Sequence, residues 1–270
     1  MANAAVAVEL TYHVRRDNER WVLEEEDVPE SPLHDAIILL LVEILLAWKV
    51  RAHRDAQIGR NIALRWDAAF PKQGVDPDIY VVEPATPEGE LATSLCTWKP
   101  GHYAPRVAVE VVSENTAEKD YVDGPGRYAA SGTRELWVFD PMLAGPQGNG
   151  GPSVVQVWRR DEAGTFRRVY AGAGPARSEE LGAWLVVTDD GRRLRLADDS
   201  NGTSLWPTEA EAERAAKEAE RAAKEAERAA KEAERAAKEA ERAAKEAAEA
   251  EVTRLRVELA RLRAASGGSS

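Results

Sequence analysis

Three patterns of apolar positions run along this chain. Between Arg106 and Pro141, Val107, Val109 and Val111 alternate with Ala108, Glu110 and Val112, a period-2 run of β-branched residues that predicts a strand. A helical segment follows, then an apolar strand from Leu136 to Phe139, so the unit reads strand–helix–strand. Ile79 to Val82 is another apolar strand, opened by Asp76-Pro77-Asp78. The second pattern is a helix from Leu33 to about Ala52, apolar on nearly every face between Ala36 and Trp48. Such a helix is expected to be covered on both sides and packed on a sheet. Ser31 supplies its N-cap and Pro32 its first helical position. In the third pattern, Glu211 to Lys245, the heptad EAERAAK repeats five times, with helical text on to about Arg263.

The remaining segments predict shorter pieces. Val6 to Val14 reads as a short strand, and Gln57 to Leu64 as another, joined to Ile79–Val82 by a loop holding Pro71 and Gly74. Four prolines between 84 and 105 predict loop. Gly145 to Pro152 is a turn leading into Val154–Trp158, which resembles an edge strand. Phe166–Tyr170, Trp184–Val187 and Leu194–Leu196 follow as short strands, the last two joined by an Asp190-Gly191 turn. The predicted organisation is a body over residues 1–207, a charged Ala-rich helix over 208–263, and a disordered end over 264–270.

In the tail, Ala, Glu, Arg and Lys are strong helix formers, uninterrupted by Gly or Pro. Glu213 precedes Lys217 by four residues, the favourable order, and the repeats multiply it. An alanine stripe through Ala212, Ala215 and Ala219 buries little, whereas Val252, Leu255, Leu259 and Leu262 form a better seam at 3-4-3 spacing. The tail is therefore a coiled-coil candidate through which the chain is expected to form a homo-oligomer, with a solvated spacer helix as the alternative.

The repeats are neutral, as are residues 246–263, so the net charge of −11 lies before Glu211. An acidic body does not draw polyanions from a distance, which counts against a general nucleic-acid coat protein but not against a local basic groove. Cys96 is the only cysteine, which excludes an intrachain disulfide and a cysteine-rich zinc site and suits a reducing cytoplasm. The first residues lack a basic stretch followed by an apolar run, so no secretory signal is expected. The most apolar segment, 13 residues containing Glu43, is too short to span a bilayer.

Glu110 is a carboxylate amid valines, costly to bury without a cationic partner. Singly, Asp78 reads as a strand or turn cap and Glu110 as the partner of an arginine in the sheet. Together, on two strands, they suggest a site for a hard divalent cation such as Mg²⁺, which relieves repulsion between close carboxylates. Such an ion activates water and stabilises charge on a phosphodiester.

Residues 26–141 resemble the Uma-type "putative restriction endonuclease" family, a bacterial branch of the PD-(D/E)XK nuclease superfamily. The resemblance rests on VPESPLHDAI, GRNIAL, PDIYVV, VAVEVVSENTAEKD and RYAASGTRELWVFDP, in the family's order. It implies an α/β fold, a restriction-endonuclease-like mixed sheet flanked by helices. It also implies a Mg²⁺- or Mn²⁺-dependent endonuclease acting on DNA, with Asp78 and Glu110 as metal ligands. Val112 stands where the motif ordinarily has its lysine. This branch commonly carries a lysine on the next helix instead, four residues after an aspartate and four before a tyrosine. Asp120 and Tyr128 fit that frame and put Gly124 at the lysine position.

Lys119 and Arg127 are the nearest substitutes. Arg127, always charged, is unsuited to be a base. Lys119, just before the helix, reads as an exposed loop lysine, with an auxiliary catalytic group swung inward as the alternative. His34 matches a recurrent family histidine, and a packing or capping role is expected; Tyr128 and Trp137 read as core aromatics. The alternative function is a catalytically degenerate nuclease fold serving as a binding or assembly module, because Gly124 has no side chain to offer.

Overall fold

The computed structural model describes residues 31–148 and 150–266; the expected strand at Val6–Val14 lies outside them. The Oγ of Ser31 accepts from the backbone N–H of His34 at 3.2 Å and starts helix α1, Pro32–Arg51. Strands β1 (Gln57–Gly59), β2 (Ala63–Arg65), β3 (Ile79–Val82), β4 (Ser94–Cys96) and β5 (Val107–Val111) follow. Next come helix α2 (Gly124–Ser131), β6 (Glu135–Phe139), β7 (Val155–Arg160) and β8 (Phe166–Gly172). Strands β9 (Ala176–Ser178), β10 (Ala183–Thr188) and β11 (Arg193–Ala197) precede helix α3, Glu209–Ser266.

The main sheet is mixed, with six strands in the order β1-β3-β5-β6-β7-β8. Only β5 and β6 run parallel, because α2 carries the chain back between them; the other neighbours are antiparallel. Strands β11, β10 and β9 make a second, antiparallel sheet, and β2 pairs with β4 in parallel. The fold is thus a mixed α/β body with flanking helices, followed by a long C-terminal helix.

The alternation around Glu110 decides which layer it enters. Val107, Val109 and Val111 join Ile37, Leu41, Ile44 and Leu45 of α1 in one buried cluster. Ala108 and Val112 join Tyr128, Leu136 and Val138 in the other. Glu110, in phase with Ala108, faces the α2 side.

Several expectations need correction. Among the described residues helix α1 is covered on one side only: Leu39, Leu46 and Val50, spaced seven and four residues apart, form an exposed stripe. The run Gln57–Leu64 is not one strand, because Asn61 turns the chain with φ +49° and donates its N–H to Pro77 O at 3.1 Å. Strand β7 is interior, paired on both sides, and the edge falls to β8. Gly124, Pro125 and Gly126 open α2, where proline is preorganised for the first turn.

Among the described residues, those up to Glu209 form one compact unit and those from Ala210 a second. In the second unit the helix carries a ladder of i,i+4 ion pairs, among them Glu213–Lys217 at 3.1 Å and Glu234–Lys238 at 2.6 Å. Among the described residues no helix is long and apolar enough to cross a membrane.

Candidate active site

The register of β3 and β5 brings the two predicted acids level. Ile79 lies opposite Val109 and Tyr80 opposite Ala108. Asp78 comes just before Ile79 and Glu110 just after Val109, so both acids lie at the same end of the paired strands. The Oδ2 of Asp78 accepts from the backbone N–H of Val111 at 2.7 Å and lies 3.3 Å from Nε2 of His34. Helix α1 therefore reaches the site through its first turn.

Glu110 is buried, and its Oε1 accepts a 2.5 Å hydrogen bond from the hydroxyl of Tyr128 on α2. Burial raises its pKa well above the usual carboxylate value, and the nearby charges of Asp78 and Asp120 add to the effect. The phenol of Tyr128 is also held well above its usual value, first by burial and then by the charge of Glu110.

Between β5 and α2 the chain makes a π-helical turn, Lys119–Asp123. Such turns occur often at functional sites because they re-aim side chains out of the α register. Here the turn directs Lys119 inward, its Nζ 3.3 Å from Oδ1 of Asp76. Burial works against the Lys119 ammonium, but Glu110, Asp76 and Asp120 outweigh it and raise its pKa. Lys119 is thus a half-buried cation facing the acids, not the exposed loop lysine that the sequence suggests.

Asp120 is buried beside it and accepts from Thr116 Oγ1 at 2.6 Å. Burial pushes its carboxyl up to about 7, against the hydrogen bond from Thr116. The turn is pinned from behind. Tyr121 donates its hydroxyl to Asp140 at 2.8 Å and receives the N–H of Ser153 at 3.1 Å.

The structure therefore gathers Asp78, Glu110 and Lys119 at one end of the sheet. Gly124 is buried, and no side chain reaches the site from it. Trp137 is a core aromatic that donates to Glu135 at 2.7 Å. His34 does more than pack: its backbone N–H meets the cap while its ring meets Asp78. Asp120 and Tyr128 served in the sequence only as rulers for locating Gly124. Both reach Glu110 from this segment, Asp120 through its charge and Tyr128 through its hydroxyl.

The donor set suits a hard cation. Burial first, and then the like charges beside them, drives up the pKa of Glu110 and Asp120, a conflict that a divalent ion relieves. Among the described residues no group of three or more His, Cys, Asp or Glu side chains is placed to hold a metal. Two carboxylates with the remaining positions left to water is a common mode for Mg²⁺.

A family model described as "Uma2: Putative restriction endonuclease" matches residues 21–180. The chain is also similar to a crystal structure described as a "putative nuclease belonging to DUF820" from Anabaena variabilis ATCC 29413. That likeness has 19% identity and a TM-score of 0.39, over 57% of this chain and 75% of that one. The curated proteins contain no match.

Proposed function

The chain belongs to the Uma2 family, described as "Putative restriction endonuclease", and on that premise we propose that it is a divalent-metal-dependent endonuclease that hydrolyses phosphodiester bonds in DNA. The observation that carries this reading is Asp78 level with Glu110, with the Lys119 ammonium half-buried beside them.

Asp78 and Glu110 would hold Mg²⁺ or Mn²⁺. When bound, such an ion polarises a phosphoryl oxygen and acidifies water. Lys119 contributes a fixed positive charge. Its raised pKa keeps it protonated, so its role is to neutralise charge developing on the phosphate rather than to accept a proton. The hydrogen bond from Val111 and the contact with His34 hold Asp78 in place without filling its second oxygen. Arg127, paired with Asp123 at 3.9 Å, is too basic to take a proton.

We assign self-association to the last turns of α3, where Val252, Leu255 and Leu259 stand about half exposed on one stripe. The free, buried Cys96 and the absence of other cysteines suit a cytoplasmic setting.

The deciding experiment is Mg²⁺- or Mn²⁺-dependent cleavage of plasmid DNA by wild type, Asp78→Ala and Glu110→Ala. Cleavage by wild type alone is expected. Equal nicking by all three proteins would remove both residues from the site. DNA binding without cleavage by any of them favours the second reading, a degenerate nuclease fold acting as a binding or assembly module. Gly124 is the residue behind that second reading.

A further inference from the structure

We propose that Tyr128 is the positioning residue for Glu110: its hydroxyl holds Oε1 so that Oε2 is presented to the divalent cation. The inference rests on Glu110 being a metal ligand, as above.

Three observations support it. Both groups are buried, so no water competes for the 2.5 Å hydrogen bond, which lies at the short end for an O–H donor to a carboxylate. Among the described residues no other hydrogen bond reaches the Glu110 carboxylate, so this one alone sets its rotation. Tyr128 is itself fixed at its backbone. Its carbonyl accepts from Ser131 Oγ at 2.9 Å, and Arg160 of β7 donates to the carbonyl of Ala129 at 2.5 Å. The phenol thus stands on a helix turn tied to the sheet, and an otherwise free glutamate inherits that rigidity. A ligand held in one rotamer loses less freedom when the ion binds.

The bland reading is that Tyr128 only packs, its ring lying in the cluster with Ala108, Leu136 and Val138. Tyr128→Phe separates the two, since it keeps the ring and removes one oxygen. The experiment is Mn²⁺ titration of the full chain, followed by calorimetry and by the electron paramagnetic resonance signal of free Mn²⁺. The proteins are wild type, Tyr128→Phe, Glu110→Gln and the double variant.

Mn²⁺ binding by Tyr128→Phe is expected to weaken about 10- to 100-fold, as when the partner of a metal ligand is removed. The double variant is expected to bind no more weakly than Glu110→Gln, because the tyrosine acts only through the glutamate. The Mn²⁺-induced rise in Tm, measured from low temperature, gives a second readout if Tyr128→Phe is less stable. Wild-type affinity in Tyr128→Phe overturns this inference and leaves the metal site standing. Multiplicative losses in the double variant overturn it too. A wild type that binds no Mn²⁺ overturns both this inference and the metal reading beneath it.

Discussion

The backbone N–H of Gly124 donates to the carbonyl of Lys119, five residues earlier, and closes the π-turn at the head of α2. The residue at the family's lysine position is therefore tied to the lysine proposed above to supply the positive charge. Lys119→Ala is expected to lower the cleavage rate about 10²- to 10³-fold, the usual loss for one electrostatic contact to the transition state. Adding Gly124→Lys should restore part of that loss. Gly124 has helical angles, φ −51° and ψ −55°. An added Cβ there approaches only the Lys119 carbonyl, at 3.4 Å. Single-turnover cleavage of plasmid by the three proteins checks this. A double variant no faster than Lys119→Ala would show that the two positions are not interchangeable.

The crowded acids predict how the metal-free protein responds to pH. Burial lifts Asp120 from its usual 3.8 to about 7 and holds Glu110 well above the usual range. Between the unfolded and folded values the native chain keeps a proton that the unfolded chain has released. Stability contributed by these groups is therefore fully present below about pH 4 and is lost as pH rises through about 7. At about 1.4 kcal/mol per unit as an upper bound, Asp120 accounts for a few kcal/mol. In EDTA the Tm is expected to fall between pH 5 and pH 8. Asp120→Asn should flatten that slope, and saturating Mn²⁺ should shrink it. A Tm that rises over this interval would contradict the burial of uncompensated acids.

Much of this site was legible in the sequence, and the rest was hidden for identifiable reasons. Glu110 stood out because a lone carboxylate breaks a valine alternation, and Asp78 because it opens the next apolar strand. Lys119 did not. Its direction depends on a π-turn, which has no pattern of apolar spacing to announce it. The same blind spot explains the strand Gln57–Leu64. Gly59, Arg60 and Asn61 interrupt its apolar residues, and a positive φ at Asn61 sends its halves into different sheets. Helix α1 was overread because its exposed stripe is leucine and valine, residues the hydropathy pattern cannot distinguish from core.

Behind the π-turn, Gly145 lies flat against the ring of Tyr121. A Cβ at position 145 would come within 2.4 Å of the ring's Cζ, and the ring is held by hydrogen bonds to Asp140 and Ser153. Neither side can move freely, so Gly145→Ala is expected to destabilise the fold by about 1–3 kcal/mol through overpacking. Tyr121→Phe removes one of three donors to the buried Asp140, the others being the N–H groups of Ala144 and Gly145 at 2.9 Å. Its expected loss is smaller, about 1 kcal/mol. Urea unfolding of both variants measures the order. Because the turn carries Lys119, Gly145→Ala should also slow cleavage, whereas a neutral effect on both would mean that the turn adapts.

The tail poses a choice between a lone helix and a paired one. Its repeats place Glu four residues before Lys, and the pairs close at 2.5–3.1 Å, which stabilises an isolated helix by about 0.2–0.5 kcal/mol each. Those heptads need no partner, and their alanines bury little against one. The last turns differ: Val252, Leu255 and Leu259 leave large apolar side chains about half exposed at 3-4 spacing. Pairing that seam removes apolar area from water, which the charge ladder alone cannot do. The full chain is accordingly expected to be a dimer or larger by light scattering, and a chain lacking residues 208–270 a monomer. Leu255→Lys with Leu259→Lys should dissociate the full chain without lowering its helix content, since lysine is itself a good helix former. If the full chain and the truncated one are both monomeric, the seam does not self-associate. The tail is then a free-standing rod about 87 Å long at 1.5 Å per residue.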